Sequence, residues 1–174
     1  MRGEVGVRVE VSQVIDRPVA DVFRFYAVDH VRNHPRWDPD MDLEQVSEGP
    51  IGVGTVIRRR NTHSGIPIEG TMEVVEYEPE RAFGVIIHDG PVETHGRVTF
   101  DAEGQDRTTI TISAAMPGMD ESIDTGLLTG LMERSARNIK DLVESASAHS
   151  HSGDHCWHPI CAPNSRPVNQ MSNP

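Results

Sequence analysis

Apolar and polar residues alternate over most of residues 5–116, and this pattern predicts a sheet. Val5, Val7, Val9 and Val11 alternate with polar neighbours, which is typical of a half-buried strand over 5–15. A period of two returns after residue 40, and the further strands are predicted over 41–48, 54–62, 67–77, 82–89, 92–102 and 107–116. Short turn-forming segments separate them, which indicates an antiparallel meander.

Two short helices are predicted between the first two strands. Asp16 can cap a helix and Pro18 suits its first turn. Helical spacing then places four apolar residues on one face, namely Val19, Val22, Phe23 and Tyr26. A second helix fits 29–34, and it is predicted to stop at Pro35 because proline has no backbone N–H.

A long helix is predicted over about 120–147. Its apolar stripe consists of Ile123, Leu127, Leu128, Leu131, Ile139, Leu142, Val143 and Ala146. Gly126 and Gly130 weaken its first part by about 1 kcal/mol each relative to alanine. Two interpretations stay open: this end loosens to admit a ligand, or the helix begins only near Leu127 or Leu131.

The predicted order is one strand, two short helices, six strands and a long helix, which is an α+β arrangement. A long helix that crosses the concave side of one curved seven-stranded antiparallel sheet buries the apolar faces of both. A single helix rarely fills so curved a sheet, so we expect an apolar cavity between the helix and the sheet.

Length and charge narrow the class of protein. The 174 residues suit one domain, and we place it at 1–147. The formal net charge of −11 argues against a nucleic-acid partner or an anionic membrane surface. No apolar run predicts a membrane span and no signal peptide is indicated, so a cytoplasmic protein is expected, either a monomer or a homodimer.

Residues 148–174 differ in composition from the rest of the chain. They are rich in Ser, His, Pro and Asn and show no apolar periodicity, which predicts a disordered tail. The tail contains the metal-binding side chains His149, His151, His155, Cys156, His158 and Cys161. Their spacing matches no structural zinc framework, so neither a metal site nor a cofactor is predicted.

Three segments carry a resemblance to a known family. The stretches VSQVIDRPVADVFRFYAVDHVRNHPRWDPDM, EGPIGVGTVIRRR and MERSARNIKDLVES resemble the START/Bet v 1-like (SRPBCC) superfamily in its bacterial polyketide cyclase/dehydrase branch. The resemblance covers about 5–147 and implies the helix-grip fold. Such proteins include lipid and hormone carriers, aromatase/cyclases and chaperone activators. The activators typically carry Trp-Trp-Gly where this chain has Trp37-Asp38-Pro39, which counts against that branch.

Polar and aromatic candidates for a site are few. Between two prolines, Trp37 is interpreted as a packing residue that closes one end of the cavity, with direct ligand contact as the alternative. Tyr26 carries a hydroxyl on the core-facing stripe, which needs a partner if buried. His34 is placed at the rim, and Asp38 is its candidate partner unless that carboxylate only caps or is solvated.

Strand alternation decides the orientation of the remaining candidates. In the run 58–60, Arg59 points to the face opposite its two neighbours. Either all three arginines lie on the solvent side or at an edge, or at least one enters the cavity and pairs with an anionic or carbonyl group. His88 and His95 have the parity of outward residues, so both are expected in solvent.

The inward set is nearly all aliphatic, which favours binding of a small hydrophobic ligand such as a lipid, a polyketide or an isoprenoid-like molecule. The predicted ligand-binding residues are Tyr26, His34, Trp37, Arg59, Met72, Val85, Ile87, Thr94, Ile112, Leu127 and Leu131. A polyketide cyclase/dehydratase is the alternative, and it requires a buried ionisable group with a shifted pKa in a roomy cavity. A stress-adaptor or protein-interaction module would instead show a filled interior and an exposed apolar patch.

Overall fold

One antiparallel sheet forms the body of the protein, and the α+β helix-grip prediction is confirmed. The computed structural model describes residues 6–120 and 122–146. Its strands are β1 Gly6–Ile15, β2 Met41–Gln45, β3 Val56–Asn61, β4 Ile68–Glu78, β5 Ala82–Asp89, β6 Val92–Ala102 and β7 Thr108–Pro117. They pair in the order β1-β7-β6-β5-β4-β3-β2. The first strand therefore pairs with the last, and strands β2 to β6 each pair with the next strand in the sequence.

The predicted strands match the observed ones to within one or two residues, apart from β2. That strand ends at Gln45 instead of continuing to 48, because the chain leaves the sheet through a turn before β3. A register shift between Val74 and Glu76 interrupts the pairing of β4 with β5. Such a bulge increases the local twist and bends the strand, which contributes to the curvature of the sheet.

The short helices lie between β1 and β2. The first is α1 Val19–Phe23, which continues as a π turn over Arg24–Val28, and the second is α2 His30–Trp37. The predicted stop at Pro35 is wrong, since the helix runs two residues further. The Asn33 side chain donates to the Phe25 carbonyl at 2.9 Å and fixes this helix to the π turn. One missing backbone hydrogen bond near the end of the helix does not outweigh these contacts.

The long helix, α3, spans Gly126–Ala146 and therefore begins later than predicted. Asp124 Oδ1 accepts the Gly126 N–H at 2.8 Å, and Asp120 Oδ1 accepts the Ser122 N–H at the same distance. These carboxylates form turns ahead of the helix instead of its first turn. Two interpretations of the glycines were open. The structure agrees with the one in which the helix begins near Leu127, whereas the loosening of the N-terminal end of α3 stays a prediction.

Helix α3 packs mainly against β1 and the inner face of the sheet. Ala136, Ile139 and Val143 are its buried residues. Asn138 Nδ2 donates to the Trp37 carbonyl at 2.9 Å and ties α3 to the end of α2. No helix among the described residues is long and apolar enough to cross a membrane. The predicted tail and its histidines and cysteines lie outside the described residues.

Candidate functional site

A cavity of about 310 Å³ lies between α3, α2 and the inner face of the sheet. It holds the volume of about ten water molecules and is at the small end of the range for ligand pockets. Helix α3 forms one side of the cavity and contributes Leu128, Leu131, Met132, Ser135 and Ile139. Residues of α3 and of the sheet therefore line one common space.

Small side chains in the middle of the sheet explain why the cavity is not filled. Gly96 on β6 pairs directly with Ala114 on β7, and both line the cavity. A Cβ atom at Gly96 would lie 3.1 Å from Val85 Cγ2, so the neighbouring strand already fills the space beside it. Above these two residues the sheet presents only backbone and one methyl group.

All but one of the predicted ligand-binding residues line this cavity. The ten are Tyr26, His34, Trp37, Arg59, Met72, Val85, Ile87, Thr94, Ile112 and Leu131. Leu127 was expected there but is 74% exposed. It lies in the first turn of α3 on the side away from the sheet, and Leu128 lines the cavity instead. Whether these residues contact a ligand stays a prediction.

One end of the cavity is polar, so the expectation of a nearly all-aliphatic lining is wrong. Polar lining residues that the sequence analysis did not name include His30, Asn61, His63 and Asp89, and Asp38 was considered only as a partner of His34. The sequence does contain a signal for several of them. His30 lies four residues after Tyr26 and four before His34, on the same helical face. Asn61 and Asp89 continue the inward parity of Arg59 and Ile87.

Arg59 is the cation at this polar end. Its side chain is only 9% exposed, and Nη2 lies 3.1 Å from Asp89 Oδ2, which also accepts from Asn61 Nδ2 at 3.0 Å. Burial lowers the pKa of Arg59, and the charges of Asp89 and Asp38 oppose that shift. Arg58 and Arg60 lie outside, where they pair with acidic residues. The interpretation in which one arginine of the run enters the cavity is therefore correct.

A chain of hydrogen bonds joins three groups of the helical segment beside Arg59. His30 Nδ1 lies 2.8 Å from the Tyr26 carbonyl oxygen, and His34 Nδ1 lies 3.0 Å from His30 Nε2. Burial lowers the pKa of His30 to about 4. Burial, followed by the charges of His30 and Arg59, lowers the pKa of His34 well below its ordinary value. Both rings are therefore neutral at pH 7.

Of the alternatives for Asp38, the pairing with His34 is not found, and Asp38 Oδ1 accepts the Asp40 N–H at 3.3 Å. Both oxygens of Asp38 lie 2.9 Å from His63 Nε2, on the loop after β3. His63 was not a candidate in the sequence, because a histidine in a polar turn gives no periodic signal. His34 itself is half-buried against Trp37 and lines the cavity, which agrees with a position at the rim.

Trp37 packs as interpreted from the sequence. It is 3% exposed, and its ring stacks on Tyr26 at 5.1 Å and on His34 at 4.8 Å between ring centroids. Its carbonyl accepts from Asn138 of α3. The indole thus packs in the cavity wall, and the backbone carbonyl of Trp37 fixes α2 to α3.

The two strand histidines lie on the outer face of the sheet, as expected. His88 and His95 are 55% and 46% exposed, and both bond to Glu93. These hydrogen bonds lower the pKa of Glu93. Neither histidine takes part in the cavity.

Within the described ranges, one group of side chains has the composition of a cation site. Donor atoms of Asp38, Asp40 and His63 lie within 4.8 Å of one another. Asp38 already accepts from His63, and Arg134 Nη2 lies 3.8 Å from Asp40 Oδ2. Protein groups therefore already satisfy much of this cluster.

The protein is similar to several solved structures of the same architecture, and these likenesses concern the fold alone. Norcoclaurine synthase from Thalictrum flavum is 19% identical with a TM-score of 0.65, over 84% of this chain and 99% of that one. Ara h 8.0201 is 18% identical with a TM-score of 0.64, over 81% and 99%. A START superfamily protein from Mycobacterium smegmatis is 12% identical with a TM-score of 0.64, over 80% and 98%.

No curated protein matches the chain in sequence. The family described as polyketide cyclase / dehydrase and lipid transport matches residues 6–144, nearly the whole of the described structure. The chain belongs to this family.

Proposed function

We propose that the protein binds one small hydrophobic molecule, a lipid, polyketide or isoprenoid-like compound, in the cavity beneath α3. The observation that carries the proposal is the cavity itself. Its floor and roof are aliphatic, with Val85, Ile87 and Ile112 below and Leu128 and Leu131 above. Removing the apolar surface of a ligand from water against such walls contributes roughly 25 cal/mol per Å².

The size and polarity of the cavity limit the ligand further. A volume of about 310 Å³ suits a compact ring system or a short chain better than a lipid with two acyl chains. The polar end then orients the guest, because Tyr26, His34 and Arg59 converge there. The Tyr26 hydroxyl makes no hydrogen bond to another described residue, so it is available to a ligand.

An enzymatic role as a polyketide cyclase/dehydratase is the second candidate. It is favoured by the buried ionisable groups on the cavity wall, where burial lowers the pKa of His30 and raises that of Tyr26. Shifts of this kind are common in catalytic sites. The family description names cyclase and dehydrase activity, and norcoclaurine synthase is an enzyme with the same fold. An adaptor role is less well supported, because the interior is not filled.

A pair of matched variants tests the binding proposal. Ala114→Leu extends a side chain into the cavity from the floor, whereas Ala115→Leu places the same group on the outer face of β7. The neutral dye N-phenyl-1-naphthylamine is titrated into each full-length protein and its fluorescence is followed. We expect saturable binding at one site in the wild type and in Ala115→Leu, and at least tenfold weaker binding in Ala114→Leu.

Equal affinities for all three proteins would place the dye on the surface and contradict the proposal. Absence of binding in the wild type would contradict it as well. Mass spectrometry of a bound polyketide-like ligand then separates the two candidate functions. A carrier returns the ligand unchanged after extraction, a dehydratase returns a product that has lost one water, and a cyclase without dehydration returns an isomer of the same mass with a different chromatographic retention.

A further inference from the structure

The hydrogen-bond chain on α2 fixes which nitrogen of each histidine carries a proton. A backbone carbonyl oxygen accepts hydrogen bonds and cannot donate them. His30 Nδ1, 2.8 Å from the Tyr26 carbonyl, therefore carries the hydrogen. The ring is 2% exposed and neutral, as burial lowers its pKa to about 4. Its Nε2 consequently has no hydrogen and presents a lone pair.

The same reasoning continues to His34. Its Nδ1 lies 3.0 Å from His30 Nε2, and since that nitrogen is an acceptor, His34 Nδ1 must be the donor. A second proton on His34 is opposed by burial and by the positive charge of Arg59, which lower its pKa. Neutral His34 thus holds its one proton on Nδ1. Its Nε2 has a free lone pair.

The residue that carries this lone pair lies in the cavity wall. His34 lines the cavity, and stacking on Trp37 at 4.8 Å fixes the plane of its ring. Its Nε2 makes no hydrogen bond to another residue in 6–120 or 122–146. The cation at the same end, Arg59, is paired with Asp89 through Nη2, although its buried Nε has no partner among the described residues, and the Asp38 carboxylate also lines this end. An anionic ligand group would therefore meet two carboxylates for one guanidinium, whereas a hydrogen-bond donor would meet an acceptor at His34.

We propose that His34 is the specificity residue of the cavity, and that its Nε2 accepts a hydrogen bond from a hydroxyl group, phenolic or enolic, of an otherwise apolar ligand. This inference rests on the proposed function, because it assigns the polar group of the ligand that the cavity binds. His30 acts as a positioning residue, since it holds His34 in the required tautomer. A ligand without a donor would leave the Nε2 lone pair unpaired in the filled cavity.

The tautomers can be measured directly on the full-length protein without a ligand. Two-bond ¹H–¹⁵N correlation spectra at pH 7 distinguish Nδ1–H, Nε2–H and doubly protonated rings. We expect His30 and His34 both to be neutral with the hydrogen on Nδ1. A hydrogen on Nε2 of His34, or a charged ring, would overturn the inference.

The selectivity for a hydroxyl is tested with two probes of similar shape. 2-Naphthol carries an O–H donor, and 2-methoxynaphthalene carries an ether that only accepts. Each probe is measured by its displacement of N-phenyl-1-naphthylamine. Its affinity is then expressed relative to the affinity of the same protein for the dye. One hydrogen bond corresponds to about a fivefold preference or more, so we expect the wild type to favour 2-naphthol by that factor.

Variants assign this preference to one ring. His34→Phe keeps an aromatic ring beside Trp37 but removes the acceptor, so the preference should disappear while 2-methoxynaphthalene still binds. The control His95→Phe changes a histidine on the outer face, and the preference should persist. Equal wild-type affinities for the two probes, or tighter binding of 2-naphthoate, would overturn the inference but leave the binding proposal intact. Failure of the dye and both probes to bind would refute the proposed function itself.

Discussion

The buried histidine His30 makes the stability of the protein depend on pH. Burial lowers its pKa from the ordinary 6.5 to about 4 in the folded state. The unfolded chain then binds more protons than the folded one between these two values. The free energy of unfolding therefore falls as the pH decreases through 6.5, and this contribution is fully lost below about pH 4.

The magnitude follows from the two values. A difference between 6.5 and about 4 corresponds to about 3 kcal/mol in total. About 2 kcal/mol of this is lost between pH 7 and pH 5. His34 adds a loss of the same sign, since burial lowers its pKa too. Carboxylates with lowered pKa values, such as Glu76 and Glu93, titrate mostly below this window.

The assay is urea unfolding at pH 7, 6 and 5. For the His30 contribution alone, we expect the midpoint to fall by about 1 M between the ends of this range. The matched variant is His30→Asn, which cannot titrate but keeps an N–H donor near the Tyr26 carbonyl. It is less stable at pH 7, yet its loss on acidification should be smaller than that of the wild type by about 2 kcal/mol. An identical loss in both proteins would refute the reasoning.

Three further changes probe the contacts around the cavity by urea unfolding. Asp89→Asn leaves Arg59 buried without its counter-ion and should destabilise the protein by about 3 kcal/mol. The double variant Asp89→Asn with Arg59→Met should recover part of this loss. A double variant that is no more stable than Asp89→Asn alone argues against the ion pair. Trp37→Ala should destabilise by about 3–5 kcal/mol, and a loss below about 1 kcal/mol would contradict its packing role. Asn33→Ala leaves the Phe25 carbonyl unpaired and should destabilise by about 1–3 kcal/mol, so unchanged stability would show that this bond is dispensable.

The fold could be predicted from the sequence because it depends on simple periodicity. Alternation along β3 to β7 separated Arg59 from its two neighbours and placed His95 outside, and the structure then shows that the face of Arg59 is the inner one. Errors occurred where local rules compete with tertiary contacts. Pro35 lies within α2 because side-chain hydrogen bonds and the packing of Trp37 hold the last turn.

The polar end of the cavity was harder to predict. The alternation of aliphatic residues gives no signal for His30, which lies on a helix. Its spacing from Tyr26 and His34 nevertheless places all three on one helical face, and all three line the cavity. The partnership of Asp38 with His63 joins residues 25 positions apart across a loop, and no local pattern encodes that contact. The start of α3 was predicted too early, since Asp120 and Asp124 can either begin a helix or form turns before one.

The location of a bound ligand can be measured directly by isotope-filtered NOE spectroscopy. Unlabelled N-phenyl-1-naphthylamine is added to methyl-labelled full-length protein, and contacts between dye and methyl groups are recorded. Binding beneath α3 predicts NOEs to Val85, Ile87, Ile112 and Leu131, all of which line the cavity. NOEs confined to exposed methyl groups such as those of Val75, or no intermolecular NOEs at a saturating concentration of dye, would contradict the account.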